Sequence, residues 1–185
     1  MNKIQLIKKI ENSLNRKLVI LDLDNTCICA IETENIKDVV YPDSFKNKDL
    51  EDIYRIYERP GLQSFLDDLF KYYDVAVWTA AGLTYALFVI DNFILSKKGR
   101  NLKFILWDEH CVYSSKRHPN KLTKDLSLLY PFYNKENMVL IDDNDNVVQQ
   151  EGVIHSDYFD ITSKKSKNDK FLYKTMNLIH EYFTK

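Results

Sequence analysis

Glycine is scarce in this sequence. Among 185 residues there are only four glycines, Gly61, Gly82, Gly99 and Gly152, and no two of them are close together. The G-x-G-x-x-G dinucleotide turn and the G-x-x-x-x-G-K-[ST] P-loop both need clustered glycines, because the backbone must approach a phosphate closely. Both motifs are therefore excluded, and any phosphate bound by this chain must be held by another device.

Cysteine is scarce as well. The three thiols, Cys27, Cys29 and Cys111, are too few for a disulfide framework in a chain of this length. They favour a reducing compartment, the cytoplasm or the nucleus, over secretion. Cys27 and Cys29 have the spacing of half a metal site, but the four histidines supply no partner at ligand spacing. Small core thiols are therefore the favoured interpretation.

The sequence also lacks an excess of either charge and a long apolar run. Its 26 Lys and Arg residues nearly balance its 27 Asp and Glu residues, so no bulk positive field attracts nucleic acid. The longest uncharged run, residues 75–90, is shorter than the ~20 apolar residues of a membrane span. We therefore expect neither a nucleic-acid partner nor a membrane partner.

The length predicts a single domain over residues 1–185. Within it we expect a core at about 18–160, a small insertion at 27–58 and a C-terminal helix at 169–184. Short apolar runs predict buried strands, and apolar residues at helical spacing predict helices. The predicted strands cover residues 18–23, 74–79, 102–107 and 138–141. The other predicted helices cover residues 3–15, a segment that starts at Pro60, and residues 83–95 and 122–129.

Strands that alternate with helices predict an α/β fold. The expected architecture is a doubly wound, mostly parallel sheet with helices on both faces. Because the strands of such a sheet run in the same direction, their carboxyl ends meet at one edge. In folds of this class the ligand binds at that edge.

Acidic side chains follow two of the predicted strands. Asp22 and Asp24 come at the end of the first strand, and Asp142 and Asp143 at the end of the fourth. If these strands are neighbours, the carboxylates meet at one edge, where like charges need a compensating cation. Carboxylate oxygens suit Mg²⁺. The alternative is that the acids are only strand-end caps and turn residues, but two matching clusters favour a metal site.

Thr79 lies at the carboxyl end of the second predicted strand. Its hydroxyl is placed to cap the helix that follows. A helix N-terminus also attracts anions, so the capping interpretation and a role in anion binding are compatible.

Four segments, in chain order, resemble the four motifs of the haloacid dehalogenase superfamily. The matching residues are Asp22-Leu-Asp24-Asn-Thr26 (motif I), Thr79 (motif II), Lys124 (motif III) and Asp142-Asp143 (motif IV). The residues around these motifs are similar to those of the NIF-type branch. They are Glu58-Arg59-Pro60-Gly61, Trp78-Thr79-Ala80 and Lys124-Asp-Leu-Ser127. That branch includes small phosphatases that act on the C-terminal domain of RNA polymerase II. The likeness covers about residues 18–160.

The resemblance implies a two-step, Mg²⁺-dependent phosphoryl transfer. Asp22 would attack phosphorus and form an aspartyl-phosphate. Asp24 would protonate the leaving oxygen and then deprotonate the attacking water. Thr79 would donate a hydrogen bond to a phosphoryl oxygen, and Lys124 would neutralise charge; the alternative for Lys124 is a plain surface lysine.

The resemblance also implies which residues bind the substrate and the metal. The residues expected to contact the substrate are Thr26, Ala80 and Lys124. The residues expected to bind Mg²⁺ are Asp22, Asp24 through its backbone carbonyl, Asp143 as a direct ligand, and Asp142 farther from the ion.

The spacing of the motifs favours a large substrate. The stretches from motif I to Arg59 and from Thr79 to Lys124 are too short for a full cap domain. An open site admits a phosphoserine or phosphothreonine on a flexible protein segment. The basic residues at 114–121 would attract further phosphate or form a solvated loop. The polymerase tail is one candidate substrate, although residues 27–58 are shorter than the insertion that receives a substrate proline in that branch. A monomer is expected.

Two other functions are considered. A polynucleotide 3′-phosphatase would use the same four motifs, but it would need basic and aromatic residues around the site. The acidic insertion and the net charge of −1 argue against it. A non-catalytic module that binds phosphoproteins on the same fold is the other alternative.

Overall fold

The computed structural model describes residues 16–113, 122–144 and 147–184. The helix predicted at residues 3–15 and the basic segment at 114–121 lie outside the described residues. Within the described part of the chain, no helix is both long enough and apolar enough to cross a membrane.

A five-stranded parallel sheet forms the centre of the molecule. Its strand order is β10-β9-β1-β5-β6, and every neighbouring pair is parallel. The five strands are β1 (Leu18–Leu21), β5 (Asp74–Trp78), β6 (Ile105–Leu106), β9 (Met138–Asp142) and β10 (Val153–His155). The three central strands are almost wholly buried, as expected where apolar runs are covered on both faces.

The strand register brings the ends of β1, β5 and β9 to one edge. Leu21 pairs with Val77 on one side and with Ile141 on the other. Beyond this row, the backbone N–H of Asp22 donates to the carbonyl of Ile141 at 2.9 Å. The residues that follow the three strands therefore start from the same level.

Three α-helices cover one face of the sheet. They are α1 (Leu62–Tyr72), α2 (Leu83–Val89, continued by a π-helical turn at Ile90–Ile94) and α3 (Phe171–Thr184). In α1 the buried positions Leu62, Phe65, Leu66 and Leu69 repeat at the spacing of an amphipathic helix. These helices share one hydrophobic cluster with alternate side chains of the central strands.

The opposite face of the sheet has a thinner cover. Its side chains, which include Ile20, Trp78 and Leu140, pack against a 3₁₀ segment at Leu126–Leu129. The predicted α/β class with a parallel sheet is confirmed. The described α-helices all lie on one face, and the described cover of the other is 3₁₀ and irregular.

The stretch predicted as an insertion contains a second, antiparallel sheet. Its order is β2 (Ile28–Glu32), β4 (Tyr54–Glu58) and β3 (Asn47–Leu50). Two 3₁₀ segments, Thr33–Asp38 and Pro42–Ser44, connect β2 to β3. One face of this small sheet joins the main core, and the other packs in a separate cluster around Tyr57 and Phe159. The domain boundaries at 27–58 and 18–160 stay predictions.

Several predicted elements differ from the observed ones. The helix expected to start at Pro60 begins at Leu62, because Gly61 adopts a left-handed conformation (φ +84°). The strand expected at 102–107 is reduced to Ile105–Leu106.

The helix predicted over 122–129 is wrong in its first half. Residues Leu122–Thr123 form β8, which pairs with β7 (Val112–Tyr113). A 3₁₀ turn follows, capped where the Asp125 carboxylate accepts the Ser127 N–H at 3.0 Å. The strand β10 was not predicted, because three residues give no readable period.

The left-handed glycines give a test of this packing. A Cβ at Gly61 would lie 2.9 Å from the Tyr173 ring, whereas a Cβ at Gly99, which also has a positive φ, would meet nothing within 4 Å. We expect Gly99→Ala to lower the free energy of unfolding by about 1–2 kcal/mol through backbone strain. Gly61→Ala should lower it by about 0.5–1 kcal/mol more, because the exposed Tyr173 ring must move aside. Urea unfolding measures both, and equal losses would contradict the packing argument.

Candidate active site

A cavity of about 330 Å³ opens at the carboxyl edge of the parallel sheet. Its walls come from the segments that follow β1, β5, β8 and β9. The residues that line it are Asp22, Asp24, Asn25, Thr79, Ala80, Leu122, Thr123, Lys124, Asp142, Asp143, Asn144 and Val147. All but one of the site residues expected from the sequence therefore meet here. The exception is Thr26.

Three carboxylates cluster at the base of the cavity. One oxygen from each of Asp22, Asp142 and Asp143 lies within 4.8 Å of the others. Asp22 and Asp142 are buried, and Asp143 is half-buried. Such a cluster is unfavourable without positive charge nearby, and its carboxylate oxygens could hold a cation.

Lys124 supplies part of that positive charge. It directly follows β8, and its ammonium group donates to Asp22 and, at 2.7 Å, to Oδ2 of Asp142. The side chain is buried, which rules out the surface-lysine alternative. Three acids still face one lysine, so the described charges at the base of the cavity are not balanced.

Burial controls the ionisation of this cluster. Loss of water raises the pKa of Asp22 well above its usual value, and the charges of Asp142 and Asp143 raise it further, against the opposing effect of Lys124. The pKa of Asp143 is raised by the same causes, burial first and Asp142 next. In Lys124 burial acts to lower the pKa, but the charges of Asp142 and Asp22 prevail and raise it. The ammonium thus stays charged.

Asp24 occupies a different environment, on the wall of the cavity. Tyr85, in the first turn of α2, donates its hydroxyl to Oδ1 of Asp24. The Tyr85 ring in turn makes an edge contact with Tyr54 of the small sheet, with 6.1 Å between ring centroids. Burial raises the pKa of Asp24, against the Tyr85 hydrogen bond and the Lys124 charge. A raised pKa suits a carboxyl group that donates a proton.

Thr26 is fully buried and is not part of the cavity wall. Its hydroxyl donates to Oδ1 of Asp143 at 3.1 Å and accepts the Asp143 backbone N–H at 3.0 Å. The hydroxyl therefore acts as both donor and acceptor toward the same residue, Asp143. This geometry favours a positioning role for Thr26 over the substrate contact expected from the sequence.

Thr79 and Ala80, which follow β5, also line the cavity. The Thr79 hydroxyl oxygen accepts the Ala81 N–H at 3.1 Å, so its own hydrogen remains to be donated. The Thr79 N–H donates to the carbonyl of Leu106 at 3.0 Å, which extends the β5-β6 ladder. Thr79 lines the cavity, but the expected helix cap is wrong, because the N-cap of α2 is Gly82 and no side chain caps it.

Sequence reasoning missed the structural role of Arg59. The residue was noted only as part of a motif, yet its side chain is fully buried behind the site and donates to Asp169 and to the carbonyl of Thr26. The available signal was an arginine between β4 and a Pro-Gly turn. Its partners lie too far along the chain to be read from the sequence.

Comparisons with known proteins decide the family. The profile of the NLI interacting factor-like phosphatases (NIF) matches residues 17–184. The chain belongs to this family. It is therefore a phosphatase of the haloacid dehalogenase type. The expected likeness to this branch is confirmed.

Two viral proteins are similar over most of the chain. The CTD phosphatase-like protein 355R of Invertebrate iridescent virus 3 is 37% identical over 187 residues, covering 94% of this chain and 100% of that protein. Its counterpart in Invertebrate iridescent virus 6 is 40% identical over 146 residues, covering 73% of this chain and 80% of that protein.

A solved NIF structure shares the fold. Fission yeast RNA polymerase II CTD phosphatase Fcp1 bound to beryllium fluoride superposes with a TM-score of 0.62 at 20% identity. The match covers 97% of this chain and 55% of that one, so this chain spans about half the length of the solved protein. The likeness supports the HAD-type α/β fold.

The buried Asp22 predicts a pH-dependent stability in EDTA. Its pKa is raised on folding, so its contribution to folding is present below the unfolded pKa of about 4 and is lost as pH rises. Asp22→Asn removes this loss. We expect the free energy of unfolding of the variant, relative to the wild type, to increase from pH 4 to pH 8 in urea titrations.

Asp49 provides a control of opposite sign. Its hydrogen bonds to Arg55 lower its pKa, so its contribution to stability is present above the unfolded pKa and is lost at low pH. Asp49→Asn should therefore become relatively less stable as pH rises. A slope of the same sign in both variants would contradict this account of Asp22.

Proposed function

We propose that this NIF phosphatase is a Mg²⁺-dependent protein serine/threonine phosphatase that acts through an aspartyl-phosphate on Asp22. The observation that carries the proposal is the buried cluster of Asp22, Asp142 and Asp143 around Lys124, with Asp24 on the cavity wall. It combines a nucleophile, a cation site and a second carboxyl group in one open cavity.

The donor set fits a hard divalent cation. The cluster offers only oxygen ligands and carries more negative charge than Lys124 neutralises, as Mg²⁺ sites do. Asp22, Asp143 and the backbone carbonyl of Asp24 would hold the ion, which would stabilise charge on the phosphoryl oxygens when bound.

The hydrogen bonds favour Asp143 over Asp142 as the direct ligand. Oδ2 of Asp142 accepts from Lys124, and Oδ1 accepts the Asn144 N–H at 2.8 Å. Both of its oxygens are thus occupied. In Asp143, Thr26 engages Oδ1 alone, and among the described residues Oδ2 has no hydrogen-bond partner. Asp142 would instead hold Lys124 in place.

In the first step, an Asp22 oxygen forms a bond to phosphorus. The bond from phosphorus to the serine or threonine oxygen breaks, and the proton of Asp24 moves to that departing oxygen. Burial raises the pKa of Asp24 and so favours the protonated form that this step needs. Lys124 faces Asp22 throughout and offsets the charge that the phosphoryl group brings.

In the second step, the ionised Asp24 accepts a proton from a water molecule. The water oxygen bonds to phosphorus while the bond to Asp22 breaks, which releases inorganic phosphate and restores both carboxyl groups. The Thr79 hydroxyl, which lines the same cavity, would donate to a phosphoryl oxygen, and Ala80 would contact the substrate beside it. These roles need only short movements, since all the groups line one cavity.

An open cavity supports a protein substrate. At about 330 Å³ it has room for a phosphorylated side chain, and the small β2-β4-β3 sheet adds no full cap. The viral relatives are named CTD phosphatase-like, which supports a phosphoserine or phosphothreonine segment, with the polymerase tail as one candidate. The monomeric state and the cytoplasmic or nuclear location stay predictions.

The test compares three substrates for one enzyme. We expect Mg²⁺-dependent phosphate release from a panel of phosphoserine and phosphothreonine peptides, abolished by EDTA, and little from a 3′-phosphorylated oligonucleotide. Asp22→Asn should lower kcat by ~10⁴-fold or more, while Asp49→Asn, at the exposed ion pair with Arg55, should not. Faster turnover of the oligonucleotide would favour the polynucleotide 3′-phosphatase alternative. No turnover of any phosphoester would refute the proposal.

Asp24→Asn separates the two chemical steps. An aryl phosphate with an acidic leaving group needs no proton from Asp24, so the variant should still phosphorylate Asp22. Hydrolysis of the aspartyl-phosphate should slow by ~10²–10⁴-fold without the base. Rapid-quench kinetics should therefore show release of one equivalent of the aryl alcohol, followed by a very slow phase. Asp22→Asn should show no burst, and a burst in that variant would exclude Asp22 as the nucleophile.

A further inference from the structure

Arg59 is a charged residue in the interior. It follows β4, its side chain has no solvent exposure, and its guanidinium lies over the rings of Phe171 (4.7 Å) and Phe159 (5.4 Å). A buried arginine is unfavourable unless its charge is paired and its N–H groups are bonded. The partners of Arg59 therefore indicate what this residue holds in place.

Nearly every donor of Arg59 has a partner. Nε and Nη2 donate to the two oxygens of Asp169 at 2.9 and 2.7 Å, a bidentate pair. On the other side, Nη1 donates to Ser156 Oγ at 2.7 Å and to the backbone carbonyl of Thr26 at 2.9 Å, with a longer contact to the Asn25 carbonyl at 3.5 Å. The guanidinium thus joins three distant segments.

These contacts continue to the acid cluster through Thr26. The carbonyl of Thr26 is held by Arg59, and its hydroxyl makes both hydrogen bonds to Asp143. One residue thus separates the guanidinium from the proposed direct metal ligand. Because Thr26 is fully buried, it has no room to adjust independently.

The far side of the network is anchored on α3. Asp169 precedes that helix, and its Oδ1 accepts the Phe171 N–H at 3.1 Å in addition to the Arg59 contact. Ser156, the remaining partner, extends the β10 ladder, because its N–H donates to the Asp142 carbonyl at 2.8 Å. The contacts of Arg59 therefore connect the start of the C-terminal helix with both acid-bearing loops.

We propose that Arg59 is a positioning residue that holds Thr26, and through it Asp143, in the geometry that binds the cation. The inference rests on the metal site of the proposed function. Arg59 is not among the residues that line the cavity, so it acts on the ion through the residues that it holds, and of these Thr26 is the one that bonds the Asp143 side chain. Only a planar guanidinium can hold Asp169 bidentately and still donate to Thr26 and Ser156. A lysine ammonium cannot span these partners.

The test measures Mg²⁺ binding by calorimetry on the full-length protein, without substrate. Thr26→Val removes the hydroxyl at nearly constant volume, and we expect it to weaken Mg²⁺ binding by about 10-fold, as loss of a partner to a metal ligand does. Thr26→Ser keeps the hydroxyl and should stay within about 2-fold of the wild type. Arg59→Lys should weaken binding by a similar factor to Thr26→Val.

A double-mutant cycle distinguishes coupling from general damage. If Arg59 acts through Thr26, Arg59→Lys should add little to the loss already caused by Thr26→Val, because coupled residues give non-additive effects. Arg55→Lys is the matched control. Arg55 makes a similar bidentate pair with Asp49, but in a partly exposed position on β4, and its replacement should leave Mg²⁺ affinity unchanged.

The outcomes separate this inference from the proposed function. No Mg²⁺ binding by the wild type would overturn both. Wild-type binding with an unchanged affinity in Arg59→Lys, or with fully additive losses in the double variant, would overturn the positioning role alone. Should Arg59→Lys fail to fold by circular dichroism, Asp169→Asn replaces it in the cycle. That variant keeps a capping side chain for α3 but weakens the anchor of Arg59. Its Mg²⁺ affinity, alone and combined with Thr26→Val, then decides in the same way.

Discussion

The structure depends on the placement of three carboxylates around one buried ammonium group. Asp22, Asp142 and Asp143 share a site with Lys124 at the edge of the sheet, largely out of water. Like charges at this distance repel strongly where the dielectric is low. The fold has to hold them against that repulsion, and a cation would offset the negative charge that Lys124 leaves. The repulsion among these carboxylates therefore destabilises the folded protein at the same place where the carboxylates serve its function.

The rest of the core supplies the necessary rigidity. The register that pairs Leu21 with Val77 and Ile141 fixes where the acids begin. The three central strands are almost wholly buried and remove apolar surface from water. This burial is the dominant stabilising contribution to folding. Outside the sheet, the Tyr54–Tyr85 contact braces the hydroxyl that bonds Asp24. The small antiparallel sheet thus serves the site without lining the cavity.

The sequence predicted the parts of this design that depend on neighbours in the chain. Apolar runs that end in acids identified β1 and β9, the end of the second predicted strand identified Thr79, and the resemblance to motif III identified Lys124. It did not predict the small sheet, because β3 reads Asn-Lys-Asp-Leu and is almost fully exposed, so it has no apolar alternation. The helix expected at 122–129 failed because two residues of β8 precede the turn.

Contacts between residues that are far apart in the chain could not be predicted from the sequence, for a different reason. Arg59 and Asp169 are 110 positions apart, and Thr26 and Asp143 are 117 apart. Nothing local distinguishes a threonine that binds substrate from one that orients a ligand, since the same hydroxyl serves both. Only its surroundings decide, and here both bonding capacities of Thr26 are directed to Asp143.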